Sequence, residues 1–209
     1  NLNYSRRNSY ENIVTNRLFA ADTILSQDAK TKYLAHSFYA GYGLGDSLGK
    51  NWDINISGNI SYNNSNNSSY NESSIKKIST SQLLADNLSR VNNTGSSLVI
   101  SNGVDGKMKI DTLGSEWDNT IFYSYAYNPA SQLFSTDYTY PSIPETGGDG
   151  AEKNKRNYFY LTSDLKLKTK KRFTFESGIK SSYHQFENNT NYFTGTGSNR
   201  SKDFQRTNT

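Results

Sequence analysis

Between Lys32 and Asn64 two stretches alternate apolar with polar residues across the tight run Gly45-Asp46-Ser47-Leu48-Gly49-Lys50. In the second stretch Asp53, Asn55, Ser57, Asn59, Ser61 and Asn63 are polar, and the intervening positions are Trp52, Ile54, Ile56, Gly58, Ile60 and Tyr62. The first sets Leu34, Phe38, Ala40, Tyr42 and Leu44 against Ala35, Ser37, Tyr39, Gly41 and Gly43. A period of two predicts strands with one wet and one greasy face. Each is about twice the roughly 5–6 residues usual for globular strands. Such length needs a physical reason.

The same alternation recurs over Ser97–Ile110, Glu116–Tyr127, Asn157–Leu167 and Arg172–Phe186, and residues 1–8 read as the end of another strand, seven in all. Between them the sequence predicts two classes of connection. Those after Leu44, Ile110 and Leu167 take about four to six residues, whereas those after Asn8, Asn64, Tyr127 and Phe186 run to about 20, and the two classes alternate. Ser65–Asn93 is rich in Asn and Ser, and its Ile75–Leu88 portion fits a short helix or an irregular strand equally well. Asn128–Arg156 holds Pro129, Pro141, Pro144 and Gly147-Gly148-Asp149-Gly150, and reads as a long loop with that run at a flexible tip, apart from a strand extension at Phe134–Tyr140.

Composition sharpens the problem. Of 209 residues only 33% are hydrophobic and mean hydropathy is −0.82, a polarity that points towards disorder, yet 13% are aromatic, with 16 tyrosines. Long strands in a transmembrane β-barrel reconcile these facts: apolar residues face lipid, polar ones the lumen, with tight periplasmic turns and long extracellular loops. A strand of about 13 residues at roughly 3.3 Å each, tilted by about 40°, rises roughly 33 Å, enough for the ~25 Å apolar band and its borders. An odd set of seven strands cannot close by itself, so residues 1–209 read as part of a barrel domain whose remaining strands lie elsewhere in a longer protein. The expected fold is all-β, an antiparallel up-and-down barrel segment.

On this reading Ile54, Ile56, Ile60, Phe173, Phe175 and Ile179 face lipid, and Asp53, Asn55, Glu176 and Lys180 face the lumen with Glu116, Asp118, Asp164 and Lys166. Trp52 and Trp117 each follow a short turn and suit an aromatic girdle at the periplasmic interface. His36 and His184 lie on different strands with no Cys in the chain, so neither metal ligation nor a nucleophile–base pair is expected. His36 falls on an otherwise apolar face, which a position near the interface explains. Asp149 lacks the alternating oxygen ligands of a calcium loop. The net charge of +4 is dispersed, with Lys168, Lys170, Lys171 and Arg172 the one compact basic cluster, which argues against nucleic acid as a partner. Asn55, Asn59 and Asn87 match glycosylation sequons, but two of them fall inside expected strands. No cofactor and no enzymatic activity are expected.

Specific motifs add to this. Asp111-Thr112-Leu113-Gly114-Ser115-Glu116-Trp117, the segment Phe173-Thr174-Phe175-Glu176-Ser177-Gly178-Ile179-Lys180-Ser181-Ser182-Tyr183, Asn16-Arg17-Leu18-Phe19 and Asn191-Tyr192-Phe193 resemble the outer-membrane barrel domain of TonB-dependent receptor-like proteins of Bacteroidetes. That resemblance implies a Gram-negative outer-membrane location, a large barrel with a plug domain, energy from the TonB complex, uptake of a nutrient or chelate, and a surface lipoprotein as a possible partner. Two other classes stay open: a non-transporting structural or adhesive barrel, and a soluble surface β-domain serving as a binding module. The soluble form requires the Trp52/Ile54/Ile56 and Phe173/Phe175/Ile179 faces to pack against each other across a sandwich.

Overall fold

The computed structural model describes residues 1–170, 173–196 and 199–208. Seven long strands, β1 (Leu2–Ala20), β2 (Thr23–Leu48), β3 (Trp52–Lys77), β4 (Leu83–Lys109), β5 (Glu116–Tyr140), β6 (Thr146–Lys168) and β7 (Thr174–Thr194), precede a two-residue β8 (Ser201–Lys202). All pair antiparallel in chain order within one sheet, and strands touch only their neighbours in sequence. This is the up-and-down order of a barrel wall. Among the described residues the sheet is open: β1 pairs only with β2, and β7, beyond its pairing with β6, carries only the short pairing with β8 and an isolated bridge from Thr190 to Asn208.

The expected long loops are not loops. Connections between the seven long strands are two to six residues long. Ser65–Asn93 is the outer half of the β3–β4 hairpin, paired continuously up to a turn at 78–82, which settles Ile75–Leu88 as strand, turn, strand. Residues 9–30 are likewise the β1–β2 hairpin, and Glu187–Thr194 continues β7. Of the three prolines only Pro141 and Pro144 stand in a connection, while Pro129 lies in β5 opposite Lys153. Hydrophobic alternation disappears where both faces are wet, but backbone pairing does not. In the extensions, cross-strand hydroxyl and amide pairs replace apolar ones: Thr31 to Ser69 at 3.0 Å, Ser68 to Asn92 at 3.0 Å, Ser89 with Thr136 at 3.0 Å and Gln132 to Asn93 at 2.8 Å.

Gly147-Gly148-Asp149-Gly150 corrects the sequence reading most sharply. It lies inside β6, with Leu133 of β5 opposite Asp149 on one side and Phe193 of β7 on the other. These glycines are demanded by close approach. A Cβ on Gly148 collides with the Phe193 carbonyl oxygen and comes within 2.9 Å of the Phe134 ring, and one on Gly150 collides with the Tyr192 ring.

A single-layer sheet encloses almost no core. Leu25 and Ala126 are the buried apolar residues among those described, whereas Ile56, Ile121, Phe175 and Ile179 stay exposed, the last at 69%. A soluble domain needs a second layer to cover such a face. None of the described elements packs on it, so the sandwich alternative fails.

Candidate functional surfaces

Register decides which residues share a face, because directly paired residues of an antiparallel sheet project to the same side. Ile56 pairs with Leu44 and Val104, Val104 with Ile121, and Ile121 with Leu161. Ile60 pairs with Ala40 and Ile100, then Tyr125. Ile54, Ile56, Ile60, Phe175 and Ile179 therefore lie on one continuous apolar face. Phe173, expected on that strand face, precedes β7 and sits in the β6–β7 turn, where its carbonyl oxygen accepts a hydrogen bond from the Thr169 amide at 2.9 Å.

Trp52 and Trp117 meet across Met108, with which both pair, their ring centroids 6.2 Å apart and nearly edge to face. The Trp117 indole N–H donates to Ser163 at 2.9 Å. Ten residues along β3, Tyr62 pairs with Phe38 and Leu98, and Leu98 with Tyr127. Ten residues at roughly 3.3 Å, tilted by about 40°, give a rise of about 25 Å between the two aromatic rows, the height of a barrel's apolar band. The lower border, Leu48, Trp52, Met108, Trp117 and Leu165, keeps to one paired row, and the upper one does not. The upper border falls from Leu34 on β2, opposite Asn66, to Tyr183 on β7, whose row runs through Phe159, Tyr123 and Asn102 to Gly58.

The opposite face is polar, and Asp53, Asn55, Glu176 and Lys180 all lie on it. Its charges concentrate next to the turn at 110–115 and pair across strands: Lys107 with Glu116 at 2.6 Å and Asp118 at 3.6 Å, Lys109 with Asp53 at 2.9 Å, Lys166 with Glu176 at 3.2 Å. Thr120 donates to Asp105 at 2.8 Å. Pairs this exposed contribute little stability each, about 0–1 kcal/mol. They make a wall of mixed charge, neutralised from within.

Further along that face lies a group that alternation did not reveal. Phe122 stacks on Tyr160 at 5.2 Å between centroids, Tyr160 neighbours Tyr158 at 5.7 Å, and Tyr158 meets His184 at 4.3 Å. Phe122 stood out in the sequence as an apolar exception, but three strands had to be aligned before the cluster existed. His36 lies on the apolar face, one row above Phe38 and Tyr62, where its Nδ1 is 2.8 Å from the Tyr4 hydroxyl. Asn55, Asn59 and Asn87 all fall within strands. Lys168 closes β6 and Lys170 lies in the turn after it, while Lys171 and Arg172 fall outside the described residues.

Two ends of the sheet are tied by carboxylates. Asp111 Oδ1 accepts from the amides of Leu113 and Ser115 at 2.8 and 2.9 Å, and Oδ2 accepts from the Ser115 hydroxyl at 2.7 Å. These bonds, the Ser115 hydroxyl foremost, hold the Asp111 carboxyl below its ordinary pKa. Gly114 supplies the positive φ of 88° that the turn needs. Ser115, 2% exposed, in turn accepts from the Lys168 amide at 2.8 Å, locking this turn to the next hairpin. At the other end Asp22 accepts from the Ser79 hydroxyl at 2.6 Å and from its amide at 3.0 Å, linking the β1–β2 and β3–β4 turns. On β6, Asp149 binds Arg200 through both oxygens at 2.7 and 2.8 Å, and the guanidinium carbon lies 3.6 Å from the Phe193 ring centroid.

Comparison with known families agrees with this architecture. Residues 108–209, which contain β5, β6 and β7, match the Outer membrane protein beta-barrel family. No curated protein matches the chain. The strands β1–β4 continue the same sheet with the same two faces, so the chain forms outer-membrane β-barrel wall and its place is the outer membrane of a Gram-negative bacterium.

Proposed function

We propose that this wall belongs to a TonB-dependent receptor-like transporter that takes up a nutrient or chelate. Its apolar face meets lipid, with Trp52 and Trp117 at the periplasmic border, and its polar face lines the lumen. The chain contributes frame and extracellular hairpins; it performs no catalysis and holds no cofactor. The observation that carries the reading is the mixed-charge belt of Asp53, Lys107, Lys109, Glu116, Asp118, Lys166 and Glu176, gathered at the periplasmic end of the lumenal face. An open pore has no need of charges gathered at one end, whereas a plug domain seated there would meet them. The hairpins beyond Asn64 and Asn128 would make first contact with ligand or with a surface lipoprotein. Energy would come through the TonB complex.

The test uses the full-length protein in its native membrane, with a photo-crosslinking residue at Thr120 or, as a control, at Ile121. Thr120 should capture a plug segment of the same polypeptide, and Ile121 should capture none. Deleting the gene should also impair growth on the same chelates or nutrients as deleting TonB. Lack of a crosslink from Thr120, with no shared growth defect, would favour the structural or adhesive barrel.

A further inference from the structure

Past the charge belt the polar face hollows out. Gly43 of β2 aligns with Ser57, Gly103, Phe122 and Tyr160 across four further strands. One row on, Gly41, Asn59 and Ser101 lead to Ser124, Tyr158 and His184. Where these side chains are small, over β2, β3 and β4, the wall holds a depression of about 940 Å³, within the roughly 300–1,000 Å³ of small-molecule sites.

Aromatic rings stand at both ends of it. The Tyr39 hydroxyl lies over Gly41, 2.9 Å from where a Cβ would stand, and the Phe122 ring leans to within 3.7 Å of the same point on Gly103. Three strand spacings, about 14 Å, separate β2 from β5. Beyond Phe122 the aromatic surface continues through Tyr160 and Tyr158 to His184. On the floor Ser101 and Ser124 bond each other at 3.0 Å, while Ser57 and Asn59 form no side-chain hydrogen bond among the described residues. The two rows contain no Asp, Glu, Lys or Arg. The nearest charges on this face stand outside them: Asp105, one row below, accepts from Thr120 at 2.8 Å, and Arg156 lies one row above.

This chemistry selects its occupant. The negative face of an aromatic ring attracts polarised C–H bonds. A pyranose ring presents such C–H bonds on one side and hydroxyls around its rim, so it can stack on Phe122 or Tyr160 and hydrogen-bond to Ser57 and Asn59. An anionic ligand finds no cation on this floor. A peptide strand finds no free backbone, because β2, β3 and β4 are paired on both sides. We propose that the depression binds a neutral oligosaccharide within the barrel, its rings stacked along Phe122 and Tyr160. The site rests on the lumenal assignment of the polar face in the proposed function, and it gives the nutrient a chemical class.

The experiment takes the full-length protein, purified in detergent, and titrates it by calorimetry with maltohexaose, cellohexaose, mannohexaose, xylohexaose and the anionic hexamer of galacturonate. At least one neutral hexamer should bind, and the anionic one should not. Phe122→Ala and Tyr160→Ala should each weaken that binding about tenfold. Gly43→Leu adds a side chain where the nearest atom is 4.0 Å from the Cβ position, and should abolish binding with the circular dichroism unchanged. Ile121→Val, on the apolar face, should leave binding as it is. Failure of every neutral hexamer to bind, or undiminished binding by both Phe122→Ala and Gly43→Leu, overturns the site, as does equal binding of the galacturonate hexamer. Capture of a plug segment by a photo-crosslinking residue at Ser57 in the sugar-free protein would make the hollow part of a plug seat and overturn it too. Sugar binding without a growth defect shared with TonB keeps the site and removes the transporter, and a shared defect without sugar binding does the reverse.

Discussion

The β3–β4 hairpin contains two different sheets in one. From Trp52 to Tyr62 its two faces differ in chemistry, and from Asn64 to Lys77 they do not, yet the pairing with β4 runs through both with a single irregularity near Ile75. In the first part the side chains record the solvents on either side. In the second both solvents are water, and the strand is held by backbone bonds and short polar pairs such as Ser68 to Asn92. Alternation is thus a record of environment, and strand structure outlasts it.

The largest effect expected from this contrast comes from one substitution made in both halves. Ile56→Arg, mid-band on the apolar face, should destabilise the full-length protein by roughly 2–4 kcal/mol in bilayers. Asn66→Arg, on the same face and strand but beyond the border, should stay within about 0.5 kcal/mol. Urea titration of both variants in vesicles measures the pair; equal costs would mean that the border lies elsewhere.

Glycine reverses the order of tolerance. Gly148→Ala, buried in the extension of β6 beyond the apolar band, sets a Cβ against the Phe193 carbonyl oxygen and the Phe134 ring, and should cost about 1–3 kcal/mol with loss of amide protection nearby. Gly43→Ala, within the band but on the polar face, places its Cβ no closer than 4.0 Å to the Ile56 carbonyl oxygen and should be close to neutral. Hydrogen exchange along β6 and β2 separates the two. A tolerant Gly148 would mean that the extension is loosely packed.

The smallest effect is a matter of pH. Asp111 has its pKa lowered in the fold, so its contribution is fully present above the unfolded value of about 3.9 and is lost as pH falls through the lower folded value. Pepsin cleavage within 111–115 should therefore accelerate only below about pH 4. Asp111→Ala should be cleaved at the acid-state rate already near pH 4. A flat profile in the wild type would show that Gly114 and the flanking strands hold the turn without the carboxylate.

Much of the wall was legible in the sequence. Period-two runs placed Ile54, Ile56, Ile60, Phe175 and Ile179 on one face and Asp53, Asn55, Glu176 and Lys180 on the other, and the tight run after Leu44 marked a real turn. Polar length was misread, because neither Ser65–Asn93 nor Gly147-Gly148-Asp149-Gly150 carries a hydrophobic period. Prolines and glycines there looked like breakers, although Pro129 sits in β5 and the glycines admit the rings and backbone of β5 and β7.

By itself the sequence determined the two faces, since a side chain's affinity for water or hydrocarbon is intrinsic and alternation is local. Only the tertiary structure decided which residues share a row, because register is set by pairing between strands distant in the chain. It was register that joined Trp52 to Trp117 across Met108 and assembled Phe122, Tyr158, Tyr160 and His184.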